Sequence, residues 1–186
     1  AGKCPECGKW GTLVEKTVKK ESSSKNPISI DSDNEARLLK EIKLDQSERI
    51  KSRFEEFDRA IGGGLVKDSV SILTARPGAG KSTLLLQLSS SYAKDGFKVM
   101  YVSGEESESQ IKSRADRIIG EISPNIWILS TNSMDLAESE IKKKDADIII
   151  LDSIQTFSLN EFDNKQGSPT QTIECANKCV DLAKNP

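Results

Sequence analysis

Between Val70 and Ala93 the chain reads VSILTARPGAGKSTLLLQLSSSYA, an apolar run, a glycine-bearing turn and then a helical stretch. That succession builds a phosphate-binding loop. Gly78 and Gly80 permit backbone angles closed to other residues, so successive N–H groups can face phosphate oxygens while the following helix offers its positive N-terminal end. The candidate cradle is Ala75, Arg76, Pro77, Gly78, Ala79, Gly80, Lys81, Ser82 and Thr83. Lys81 supplies a full charge for the terminal phosphates and Ser82 a hydroxyl for magnesium. The pattern G-x-x-x-x-G-K-[ST] asks for glycine at 75, where this chain has Ala75. A glycine turn with a surface lysine is the bland alternative, and it leaves the strand-to-helix position of Lys81 unexplained.

Composition narrows the class. The chain has 186 residues, 35% apolar and 30% charged, with a net charge of -2. That suits a globular domain with an appendage and argues against a uniformly basic nucleic-acid binder, leaving room for a local basic face. No apolar run approaches the length of a membrane span and no basic-then-apolar leader is present, so the expectation is a cytoplasmic protein with no membrane partner. Histidine is absent. No Ser-His-Asp or Cys-His pair can form within the chain, and a zinc site would need cysteine or carboxylate ligands.

Three zones differ in character. Residues 1–15 hold the Cys4-x-x-Cys7 knuckle, a partial zinc-finger segment, and residues 16–46 are polar without periodicity and read as a linker, with a short amphipathic piece at 36–44. From residue 47 to 186 apolar strands alternate with helical segments, which argues an α/β fold with a mostly parallel sheet and helices on its faces. Strands are expected at 69–74, 98–103, 126–130 and 146–152, and helices at 81–94, 107–119, 134–143 and 170–182. Gly62, Gly63 and Gly64 mark a turn after the helical piece RFEEFDRAI, which should pack on the first strand.

Hydrolysis needs a carboxylate for magnesium and a group to orient water. The run from Asp147 to Asp152, DIIILD, is apolar enough for a strand buried on both faces and ends in an acid. Asp152 then emerges at the carboxyl end of the sheet, where ligands of open α/β sheets collect; capping a turn is its alternative role. In YVSGEES, Glu105 and Glu106 follow a strand, and Glu105 is the favoured water-orienting carboxylate. Alternatively, both acids simply open the helix beginning near Ser107. Cys4 and Cys7 form half a tetrahedral zinc site, with a redox pair as the other reading. Cys175 and Cys179 fall on an apolar helical stripe with Ile173, Val180 and Leu182 and read as core. The polar loop 158–171, with Gly167, Pro169 and a single Lys165, is a weak candidate for DNA contact beside ordinary flexibility.

Taken in order, CPECGKWGTLVE, EFDRAIGGGL, PGAGKSTLLLQL, YVSGEES with Gln110, Ile111, Lys112 and Arg114 following, and ILDSIQT resemble the bacterial RadA/Sms family of DNA-repair ATPases. The resemblance implies a RecA-like P-loop ATPase core. It implies ATP and magnesium as cofactors, single-stranded DNA and recombinase machinery as partners, a homo-hexameric ring, and branch migration as the work done. By position, Lys81 and Ser82 would be the Walker-A lysine and magnesium hydroxyl, Glu105 the catalytic glutamate and Asp152 the Walker-B acid. Cys4 and Cys7 would be the second half of a four-cysteine zinc motif, so Zn2+ is expected only with upstream cysteines.

Ala75 and Arg76 stand where that family usually has Gly and Asp, bringing the loop nearer the A-R-P-x-x-G-K-[ST] form of DnaB-type helicases. Arg53 stands where glycine is common. In the family a first Cys-x-x-Cys lies upstream, and a Lys-Asn-Arg-Phe-Gly motif and a Lon-protease-like domain lie downstream. A strand inserted between the Walker-B strand and the phosphate-loop strand also lies beyond the corresponding stretch. The expectation is therefore a C-terminally truncated core with a gap in mid-sheet. A nucleotide-dependent assembly module, or a DnaB-type helicase-like ATPase with little hydrolysis of its own, is the rival function. No catalytic Ser-Lys pair supports a protease.

Overall fold

The computed structural model describes residues 38–41 and 49–184. The chain divides into two units, Ala1–Asp45 and Gln46–Pro186. Of the first, only a short 3-10 turn at Leu39–Glu41 within the amphipathic piece is described. The Cys4-x-x-Cys7 knuckle and most of the linker lie outside the described residues.

The second unit runs α1 (Glu55–Ala60), α2 (Lys81–Lys94), β1 (Val99–Ser103), α3 (Glu108–Ile118), β2 (Ile126–Ser130), α4 (Met134–Lys144), β3 (Ile148–Asp152) and α5 (Pro169–Lys184). The three strands are all parallel, in the order β2-β1-β3. β1 is buried along its whole length, as a central strand covered on both faces must be. Its side chains alternate. Val99 and Tyr101, with Ile148 and Ile150 of β3, pack against Leu86, Leu88 and Tyr92 of α2 and Ile111 of α3. Met100 and Val102 face the other way, onto Met134 and Ile141 of α4 and Cys175 and Leu182 of α5. The result is three layers, helix on sheet on helix, with an apolar core on each side of the strands.

The segment 69–74, expected as the first strand, has no regular structure and pairs with no strand among the described residues. Ile72 is 80% exposed and Val70 and Leu73 are exposed with it. The physical reason is pairing: an apolar run becomes a strand only when another strand satisfies its backbone groups, and among the described residues β3 has a single neighbour, β1. The helical piece before it is also displaced from its expected partner. Phe57 of α1 packs onto the α2 side of the core instead. Asp58 accepts from the Ser52 N–H at 2.9 Å and the Ser52 hydroxyl at 2.7 Å, fixing the entry to α1. At its exit Arg49 donates to Gly64 O at 3.2 Å and Ile50 bridges Leu65. A Cβ on Gly64 would lie 2.7 Å from Ile50 O, so this glycine is required by close approach.

The loop after β3 is not loose. Gln171 of α5 is buried, and its amide donates to Leu159 O, Phe162 O and Asn164 O at 3.2, 2.8 and 3.2 Å while its oxygen accepts from Leu159 N at 2.9 Å. One side chain thereby engages four backbone groups of a segment without regular structure, its two N–H hydrogens shared among three carbonyls. Phe157 and Leu159 are drawn into the α4 and α5 core.

Candidate functional site

Only four residues, 95–98, separate α2 from β1, and Phe97 N donates back to Tyr92 O at 3.2 Å. The helix must therefore run antiparallel to β1, which carries its N-terminus toward the carboxyl ends of the strands. Its cap is Gly80 with φ 87°, and among the described residues it makes no side-chain cap hydrogen bond. By contrast Ser107 caps α3 in a capping box with Gln110, and Ser133 caps α4. The first N–H groups of α2 thus lack the side-chain partner that its neighbours have. Gly78 also has positive φ, and among the described residues nothing lies within 4 Å of where a Cβ would stand on Gly78 or Gly80. Residues 75–80 are all exposed, and Lys81 Nζ donates back across the loop to Ala75 O at 3.2 Å.

The second half of the site forms where β1 and β3 end. Ser103 pairs with Asp152 in register. Beyond it Gly104 N donates to Asp152 O at 3.1 Å, and Ser153 Oγ donates to Glu105 Oε1 at 2.8 Å. Glu105 and Asp152, 47 positions apart in the chain, are thereby brought to one edge of the sheet. Asp152 is on the α2-facing side, because it continues the alternation of Ile148 and Ile150. Tyr101, buried in that same face, donates its hydroxyl to Asp152 Oδ2 at 2.6 Å. Burial first, and then this bond, push the Tyr101 hydroxyl far above the ordinary tyrosine range.

Glu106 is disposed differently from Glu105. It pairs with Arg114 of α3, and both side chains are largely buried. Its carbonyl accepts from Ser130 Oγ at 2.8 Å. Both acids precede the Ser107 cap, so neither opens the helix; Glu108 is the acid of its first turn. Lys81 and Ser82 make no hydrogen bond to Glu105 or Asp152 among the described residues.

The donor set suits magnesium-bound nucleotide chemistry. A hydroxyl and a carboxylate are hard oxygen ligands, and magnesium normally takes one or two carboxylates along with phosphate and water. Among the described residues there is no cluster of three metal-ligating side chains. Cys175 is buried and Cys179 packs beside it, with burial pushing the Cys179 thiol up to about 11, so both serve the core. A groove of about 340 Å³ lined by Leu86, Ala115, Ile126 and Ile128 includes no residue of the loop, nor Glu105 or Asp152.

Sequence reasoning missed Tyr101 and Ser153. The available signals were a hydroxyl in the middle of an otherwise apolar strand, and a serine directly after the strand-ending acid.

A parallel sheet layered by helices, with an open glycine loop leading into an uncapped helix and carboxylates at the strand ends, is a RecA-like P-loop ATPase core. The chain belongs to the family described as AAA domain, whose model matches residues 35–184. Over 98% of its length it is 37% identical to the DNA repair protein RadA of Bacillus subtilis and 39% identical to that of Campylobacter jejuni. The RadA of Aquifex aeolicus is 37% identical over the same share. The chain spans 40–41% of the length of these relatives. No helix among the described residues is long and apolar enough to cross a membrane.

Proposed function

We propose that this chain carries the nucleotide-binding and hydrolysing site of a cytoplasmic DNA repair ATPase. The observation that carries the reading is the convergence of Glu105 and Asp152 at one sheet edge, on the side covered by the helix whose N-terminus lies open behind Gly80. ATP phosphates would lie against residues 75–83, with the first N–H groups of α2 and Lys81 Nζ neutralising their charge. Ser82 and Asp152 would hold magnesium. Magnesium, when bound, neutralises charge on the phosphates during transfer. Glu105 orients the attacking water, for which it must exchange its bond from Ser153 for one to that water.

The relatives' name, DNA repair protein RadA, supports DNA as the substrate on which the energy is used. Single-stranded DNA within a homo-hexameric ring, branch migration and contact with recombinase machinery complete the reading. Cys4 and Cys7 would hold zinc together with two further ligands.

The test uses the full-length protein. Lys81→Ala should lower ATP turnover by about a hundredfold or more, and wild-type turnover in that variant would overturn the site. Absence of stimulation by single-stranded DNA would overturn the motor part alone.

A further inference from the structure

In a parallel pair, Tyr101 sits opposite Ile150, so Asp152 is its diagonal neighbour two residues on. Such neighbours are about 7–8 Å apart, a gap that a tyrosine ring spans and shorter side chains do not. Leu86, Leu88 and Ile150 belong to the same core cluster as Tyr101, which holds the ring at that position. A carboxylate at the end of a strand is otherwise free to rotate about its last bond. The hydroxyl fixes it, engaging Oδ2 at 2.6 Å and leaving Oδ1 as the oxygen that Tyr101 does not engage.

We propose that Tyr101 is a positioning residue that orients the Asp152 carboxylate toward magnesium through its hydroxyl. This rests on the reading of Asp152 as magnesium's carboxylate. Groups that orient a metal's direct ligands typically matter by about 10–100-fold in metal affinity or activity. A bond that only satisfied a buried hydroxyl would contribute to stability and leave magnesium binding unchanged.

The experiment titrates magnesium against a fluorescent non-hydrolysable ATP analogue bound to the full-length protein, with the magnesium-free affinity as reference. Tyr101→Phe removes one oxygen and keeps the ring. It should raise the magnesium concentration at half-saturation about tenfold or more. Asp152→Asn, run in parallel, should abolish the magnesium dependence. If Asp152→Asn leaves that dependence intact, the reading of Asp152 and the role of Tyr101 both fall. If Asp152→Asn abolishes it and Tyr101→Phe stays within about twofold of wild type, Tyr101 alone is overturned. Should Tyr101→Phe fold poorly, 3-fluorotyrosine at position 101 keeps ring and hydroxyl while altering the hydrogen bond. A shift in the half-saturating magnesium concentration is then expected, and an unchanged constant overturns the proposal.

Discussion

Ser153 Oγ donates a 2.8 Å hydrogen bond to Glu105 Oε1, joining two residues 48 positions apart in the chain. Because Ser153 directly follows Asp152, this bond seats the carboxylate that would orient water beside the one that would hold magnesium. It also separates Glu105 from its neighbour. Glu106 is bound to the guanidinium of Arg114, a fixed and charged partner, whereas Glu105 is held by a neutral hydroxyl that water can replace.

Exchanging these acids one at a time should therefore give unequal results. Glu105→Gln is expected to reduce ATP hydrolysis by about 10²–10⁴-fold with nucleotide affinity retained, the range for loss of a positioned general base. Glu106→Gln should cost less than about tenfold, because that side chain is committed to Arg114. Steady-state turnover together with nucleotide titration decides between them, and equal losses in the two variants would reverse the assignment.

Gly104 sits where β1 passes closest to the loop after β3. A Cβ there would collide with Thr156 Oγ1 and lie 2.8 Å from Thr156 Cβ, and that Thr side chain is held by its own 2.7 Å bond to Ser153 O. Gly104→Ala should destabilise the protein by about 1–3 kcal/mol, the usual range for overpacking, and should displace Ser153 from Glu105. Chemical denaturation measures the first effect and turnover the second. Adding Thr156→Gly removes the blocking atoms and should restore part of the activity; no recovery would show that the clash with Thr156 is not what the substitution costs.

Arg53 stands in the left-handed region, at φ 63°. The family resemblance implies glycine at this position, and the backbone supplies the reason: a Cβ is disfavoured there. Its side chain reaches Asp95 at the end of α2, but that pair is exposed on the arginine side and such pairs add little. Arg53→Gly should therefore leave the melting temperature unchanged or raise it by about 2–4 °C. A fall of several degrees would mean that the ion pair outweighs the backbone strain.

The parts of this fold legible in sequence are those set by local periodicity. Residues 81–94 and 126–130 form their elements at the bounds that the apolar pattern indicates, and the ends of the other strands and helices move by at most two residues. Segment 69–74 has the same apolar character, yet whether it joins a sheet depends on a partner strand, which periodicity does not encode. The site divides likewise. The glycine loop and the strand-ending Asp152 are local signals. The Tyr101–Asp152 and Ser153–Glu105 bonds are products of register, since only the pairing of Tyr101 with Ile150 and of Ser103 with Asp152 makes those residues neighbours. Gln171 is silent in the sequence for a related reason: its value lies in three carbonyls and one N–H of the loop that precedes α5, none of which leaves a mark in composition.

Glu138 provides the pH-dependent link between α4 and α5. Lys178 of α5 donates to it at 2.7 Å and Lys142 of α4 at 3.0 Å. The bond from Lys178, the largest cause, and then that from Lys142 hold its carboxyl below the ordinary value of 4.5 despite some opposing desolvation. A carboxylate with a lowered folded-state pKa binds its proton more readily in the unfolded chain. Its stabilisation is thus fully present above about 4.5 and is lost as pH falls through the lowered value. Glu138→Gln should be less stable than wild type at neutral pH, with the gap in melting temperature closing as pH falls below the ordinary carboxylate value. Added salt should narrow the neutral-pH gap as well, because the charges are partly accessible to solvent. Melting curves across that range make the check, and a gap that stays constant down to the acid limit would assign the helix contact to packing by the side chains instead of to their charges.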